Sequence, residues 1–228
     1  MLKFILSAAA IAAIFALPAQ AAEAGAVLKP QAIIFDGKHL QNTKAGDEIV
    51  YNFSRKVSDQ AQVGLPFDDK ITLKVADVKD EKRQIDLQIY TGDRARELQR
   101  MAEMTINPIF IVTMQQAVAS FRQMGGGDFN YLKTRFTKEL DNNVVFEPCK
   151  IDFKGKTIDA YKINFIPFKD DPSGDKMRGY NKGSTFSMIV SPEVPGQFVE
   201  TVSTIKSVAD NTPSFEERTA IDGFGGVK

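Results

Sequence analysis

From residue 48 to residue 90 the chain alternates apolar and polar side chains with a period of two. "EIVYNFSRK" sets Ile49, Tyr51 and Phe53 on one face, and "DKITLKVADV" sets Ile71, Leu73 and Val75. "RQIDLQIY" then sets Ile85, Leu87 and Ile89 against Gln84, Asp86 and Gln88. Successive side chains of a strand point to opposite faces, so the pattern predicts strands buried on one side only, as in antiparallel sheets. The polar "KDEK" (Lys79 to Lys82) predicts a turn that makes the second and third strands a hairpin. Upstream, "QAIIFDGKHL" fits a short strand and a helical turn equally. Downstream, the charged "GDRARELQRMAEMTI" fits a strand continuation or a short helix.

The period changes after residue 106. Asn107 is a good helix N-cap and Pro108 suits a first helical position, where its missing N–H costs nothing. Phe110, Met114, Val118 and Phe121 recur at helical spacing, and Ala117 and Met124 widen the stripe. Gly125, Gly126 and Gly127 end this helix and form a corner able to act as a hinge. Asp128 can cap a second helix whose Phe129, Leu132, Phe136 and Leu140 share a face, closed by Asn142-Asn143. A helical hairpin is therefore expected at about 108–140.

Alternation then resumes. "CKIDF" places Cys149 with Ile151 and Phe153, which puts the thiol on the inward face, and Lys154-Gly155 fits a two-residue turn. "DAYKINF" returns with Tyr161, Ile163 and Phe165, and "TFSMIV" adds Phe186, Met188 and Val190 after the polar loop "PFKDDPSGDKMRGYNKG". "SPEVPGQ" turns the chain into "FVETVSTI", and the polar tail from Ser207 to Lys228 fits one more strand or a partly disordered end. Neither a repeat nor a linker divides residues 22–228. The expected class is mainly β with a helical insertion (α+β). A curved antiparallel sheet or half-barrel would be plugged by the hairpin.

The first residues stand apart from this scheme. Lys3, the apolar run Phe4 to Leu17, Pro18 and the small residues Ala19-Gln20-Ala21 predict a secretory signal peptide over residues 1–21, cleaved after Ala21. The run is shorter than the roughly 20 residues a membrane span needs. Export to the periplasm follows, with no transmembrane anchor in the mature chain. The 228 residues hold 29 basic and 29 acidic groups, and loss of Lys3 leaves the mature chain at −1. That balance argues against a nucleic-acid partner, which favours a basic excess. One Cys cannot form an intramolecular disulfide, so the core must hold the fold.

Candidate chemistry is thin. His39 is the only imidazole, and a Cys149–His39 nucleophile pair conflicts with the inward placement of the thiol. "SFEER" and "STFSM" match no hydrolase pattern. Asp170, Asp171 and Asp175 could offer oxygen to a hard cation, but their spacing is not that of a calcium loop. The Gly triplet closes a helix instead of opening one after a strand, so it is not a phosphate loop. The basic residues of "RARELQR" and "KTRFTK" suit a solvated face, or contact with lipid head groups. No cofactor and no metal site is expected.

The arrangement of one-side-buried strands on both sides of an apolar helical pair resembles the periplasmic half-barrel group that includes the lipoprotein carriers LolA and LolB. "NPIFIVTMQQAVASFRQMGGGDFNYLKTRF" is similar to helical segments of exported proteobacterial proteins of the DUF3108 type. The resemblance implies a non-enzymatic protein that binds a lipid or a lipoprotein acyl chain in envelope biogenesis or maintenance. It assigns no catalytic residue, and the anchoring Cys of LolB-type proteins has no counterpart beside Ala21. The expected cavity lining is Tyr51, Phe53, Leu73, Leu87, Phe110, Met114, Val118, Phe121, Ile163, Phe165, Phe186 and Met188. The alternative is a solid-core envelope protein that binds a protein partner, and the third reading is a hydrolase.

Overall fold

The computed structural model describes residues 29–228, and the signal peptide predicted over residues 1–21 lies outside the described residues. Two short helical turns, Gln31–Phe35 and His39–Asn42, lead into β1 (Glu48–Val57), the single-turn α1 (Gln60–Val63), β2 (Phe67–Lys79) and β3 (Lys82–Ile89). After a turn at Gly92–Arg94 come β4 (Gln99–Met104), α2 (Ile109–Gly125) and α3 (Phe129–Asn143). The chain continues through β5 (Glu147–Phe153), β6 (Lys156–Phe165), a helical turn at Gly174–Met177, α4 (Tyr180–Gly183) and β7 (Thr185–Val190). It ends with β8 (Phe198–Ile205), β9 (Phe215–Ile221) and β10 (Phe224–Val227). "QAIIFDGKHL" is thus helical, and the charged segment before α2 contains a strand.

All ten strands form one curved, unclosed antiparallel sheet in the order β10-β5-β6-β7-β8-β9-β1-β2-β3-β4. The hairpin turn at "KDEK" pairs Lys79 with Lys82, and at Lys154-Gly155 Phe153 pairs with Lys156. Lys154 and Gly155 both have positive φ (51° and 77°), the backbone that suits the twist of flanking strands. Directly opposed residues share a face. The pairs Ile71–Ile89, Leu73–Leu87, Tyr51–Ile221, Thr201–Thr219, Met188–Thr201 and Ile163–Met188 therefore define one inner face across seven strands. This face receives α2, which packs on β8 and against α3 and α4.

The tail from Ser207 onward is structural. Among the described residues β9 lies between β8 and β1 and is the only strand joining the N-terminal and C-terminal halves of the sheet. β10 follows β9 after a turn at Asp222-Gly223 yet pairs with β5, four places from β9 in the sheet. The β5–β6 hairpin bends back accordingly: the Lys154 N–H donates to the Gly223 carbonyl (2.8 Å), and the Arg218 guanidinium lies 5.7 Å from the Phe224 ring centroid.

That bend corrects the expected place of Cys149. Cys149 opposes Ala160 and Ile151 opposes Ile158, whereas the inner face of β6 carries Ile163 and Phe165. Positions 160 and 163 differ by an odd number, so Cys149 and Ile151 point to the outer face. Ile151 and Ala160 are fully buried there, whereas Lys150 and Asp159 on the other face are exposed, so this hairpin is covered on its outer face. The polar loop after β6 also contributes to the core, through Phe168, Met177 and Tyr180.

Truncation after Ser207 removes β9 and should abolish cooperative unfolding, because neighbours on both sides lose a ladder. Far-ultraviolet circular dichroism of the shortened chain checks this, and a disposable tail would leave the melting curve intact.

Candidate functional site

Each of the twelve residues expected to line a cavity is buried. Tyr51, Phe53, Leu73, Leu87, Ile163, Phe165, Phe186 and Met188 occupy the inner face, and Phe110, Met114, Val118 and Phe121 on α2 complete the same core. They are packed against one another, against Phe136 of α3, and against Phe198 and Phe168, which the sequence pattern did not mark. Phe198 lies 5.4 Å from Tyr51 and 5.2 Å from Phe110, and Phe168 lies 4.1 Å from Phe121, measured between ring centroids. Phe136 touches both Phe165 and Phe186 edge-on, at 5.4 and 5.1 Å. The space left between α2 and the central strands is about 10 Å³. That is about the size of one water, far below an acyl chain.

This space has a polar wall. Thr113 and Gln116 of α2 face Thr201, Ser203, Glu217 and Thr219 of β8 and β9 across it. Ser120 Oγ donates to Glu217 Oε2 (2.8 Å), and Gln116 Nε2 donates to Glu217 Oε1 (3.3 Å) and to the Tyr90 hydroxyl (3.1 Å). Arg55 Nε stands 3.5 Å from Glu217 Oε1. Burial pushes the Glu217 carboxyl above its usual range, opposed by the Ser120 hydroxyl and the Arg55 charge. The seam was readable in "FEERTAI", where alternation sets Glu217 with Phe215, Thr219 and Ile221.

A second polar knot fixes the start of α2. Fully buried Asn107 donates from Nδ2 to the Tyr51 hydroxyl (2.8 Å) and to the Gly196 carbonyl (2.9 Å), while its Oδ1 accepts from Ile109 N (3.1 Å) and so caps the helix. The Asn107 N–H donates to Nδ1 of His39 (3.1 Å). Nε2 of His39 faces the Ile33 carbonyl, and the ring stacks on Phe110 at 4.5 Å. Both ring nitrogens are therefore engaged, and burial pulls the imidazole below 6.5, against the Ile33 hydrogen bond. Gly196 has φ +71° and a Cβ there would stand 2.7 Å from Asn107 Nδ2, so the knot needs a glycine.

The corner between the helices is only partly free. Gly125 is packed, since a Cβ on it would lie 3.0 Å from the Phe121 ring. Gly126 and Gly127 carry φ +79° and +103° and are more open. Arg178 donates to the Met124 carbonyl at the end of α2. Asp171, from the acidic loop, accepts from the Tyr131 hydroxyl (3.0 Å) and from Arg135 Nε (3.1 Å), which ties α3 to that loop. Cys149 is half-buried and its thiol is pushed up by burial, the opposite of an activated nucleophile.

Solvent reaches α2 along both flanks. One groove of about 320 Å³ runs between α2 and the β3–β4 connection, over Ile89, Val112, Ala119 and Phe129, with Arg96, Gln99, Gln115 and Gln116 around it. The other, about 180 Å³, runs between α2, α3 and the first helical turn, lined by Phe35, Ile111, Met114, Val118 and Phe136 with Lys133 at its edge. No helix of the described residues is long and apolar enough to cross a membrane. These features define a curved β-sheet protein with one helix laid along its inner face between two open grooves. No family model matches this chain and no curated protein is similar to it, so the likeness to half-barrel carriers rests on the arrangement of elements.

Asn107→Ala should cost about 3 kcal/mol, because three buried partners lose their hydrogen bonds at once; urea unfolding measures it. The two buried ionisable groups act in opposite directions with pH. His39 has its folded pKa lowered, so its contribution is complete above about pH 6.5 and is lost as pH falls below that. Glu217 has its folded pKa raised, so its contribution is complete below about pH 4.5 and is lost as pH rises through the folded value. His39→Gln should flatten the acid side of the stability–pH curve, and Glu217→Gln the side toward neutral pH.

Proposed function

We propose that this chain is a non-enzymatic protein of the periplasm that binds a hydrophobic or lipid-like ligand beside α2, in the service of envelope biogenesis or maintenance. The observation that carries the reading is the pair of apolar-floored grooves flanking one helix on the inner face of a curved sheet. Ligand methylenes buried there would contribute about 0.8 kcal/mol each. Longer chains would enter by lifting α2 about Gly126 and Gly127, exposing the Glu217 seam, whose polar groups water can satisfy. The engaged nitrogens of His39 and the burial of the Cys149 thiol argue against the hydrolase reading.

A second reading, a solid-core envelope protein that contacts a protein partner, is favoured by the 10 Å³ left beneath α2. Native mass spectrometry of the mature chain, purified from its own envelope, separates the two. A one-to-one lipid adduct is expected, together with displacement of the neutral probe N-phenyl-1-naphthylamine by long-chain alcohols. A bare chain that displaces nothing, but crosslinks to one envelope protein, would move the assignment to the second reading.

A further inference from the structure

We propose that the groove between α2 and the β3–β4 connection is a headgroup site for a single-chain amphiphile bearing one anionic group, a carboxylate or phosphate monoester, with Arg96 as its anion contact. This rests on the ligand-binding reading above and narrows it to a chemical class.

Among the residues around this groove Arg96 alone is ionisable, and it makes no ion pair among the described residues. Its place is fixed from both sides of its backbone: the Arg96 N–H donates to the Ile89 carbonyl (2.9 Å), and its own carbonyl accepts from Gln88 Nε2 (2.8 Å). The guanidinium lies 5.5 Å from the Tyr90 ring centroid, and the Tyr90 hydroxyl is in turn held by Gln116. A stacked, planar guanidinium presents its N–H edge to a carboxylate or phosphate with little further loss of freedom.

The nearby acid is otherwise occupied. Glu217 sits behind Gln116 and is engaged by Ser120, Gln116 and Arg55; the Arg96 charge acts on it only at a distance, without an ion pair, from its place at the groove. One cation without a direct ion pair above a floor of Ile89, Val112, Ala119 and Phe129 complements one negative charge on one hydrocarbon chain. A volume of about 320 Å³ stands at the small end of ligand pockets, which suits a single chain better than a two-chain lipid.

The test uses the mature chain, delipidated, with N-phenyl-1-naphthylamine displaced by dodecanoate, dodecyl phosphate or dodecanol below their micelle concentrations. At least one anionic amphiphile should compete about tenfold better than the alcohol, and the better of the two identifies the headgroup. Arg96→Gln should reduce that competitor to the level of the alcohol, Arg96→Lys should keep part of the preference, and Ala119→Trp should weaken all three. Arg94→Gln should leave the preference unchanged; an equal loss there would mean diffuse surface charge and would overturn the assignment. An alcohol that binds as well as the anions, or a preference that survives Arg96→Gln, would overturn it while leaving the hydrophobic reading in place. If none of the three displaces the probe, both fall together.

Discussion

The sheet has an oily inner face, and the paired helices between β4 and β5 cover its middle. A face carrying Tyr51, Leu73, Leu87, Phe186 and Met188 cannot be left in water, since each large apolar side chain so exposed forfeits about 1.5–3 kcal/mol. α2 answers this with Phe110, Ala117, Val118 and Phe121, and α3 adds Phe136 and Leu140. Everything else in the molecule positions that cover. The Asn107 knot fixes its start, Arg178 and Tyr180 hold its end, and Asp171 tethers α3.

The cover is not uniformly apolar. At its centre, over β8 and β9, Thr, Ser, Gln and Glu side chains meet instead of Phe and Leu. Directed hydrogen bonds hold the helix in one register, but their loss costs little once water replaces them. Apolar flanks resist exposure much more strongly. α2 is thus bound most specifically where it would be least costly to expose. The burial of Glu217 adds a dependence on proton activity, because its carboxyl is better tolerated neutral than charged under the helix.

Two grooves flank this helix. Each is floored by apolar side chains of α2 and edged by a single cation, Arg96 on one side and Lys133 on the other. In the proposed ligand-binding reading, contact lies beside the helix, because the flanks are open and the interior is packed.

Much of the fold follows from local pattern. Period two over residues 48–90 marks β1 to β3, and helical spacing from Phe110 to Phe121 marks α2, because both are properties of a few consecutive residues. Turn chemistry did the same for "KDEK" and Lys154-Gly155. Local pattern does not say which strand lies beside which. By its pattern the tail around "FEERTAI" fits one more strand or a partly disordered end, and only pairing with β8 and β1 makes β9 a central strand whose Glu217 is a partner of α2. Cys149 showed the same limit: its alternation was right, but the bend of the β5–β6 hairpin chose the opposite face. Sequence by itself determined the elements and their apolar faces, because these depend on residues a few positions apart. Tertiary structure alone decided that the inner space is filled, that Asn107, His39 and Tyr51 form one knot, and that Arg96 stands over a groove. Those features depend on contacts between segments dozens of residues apart, whose energies no local spacing encodes.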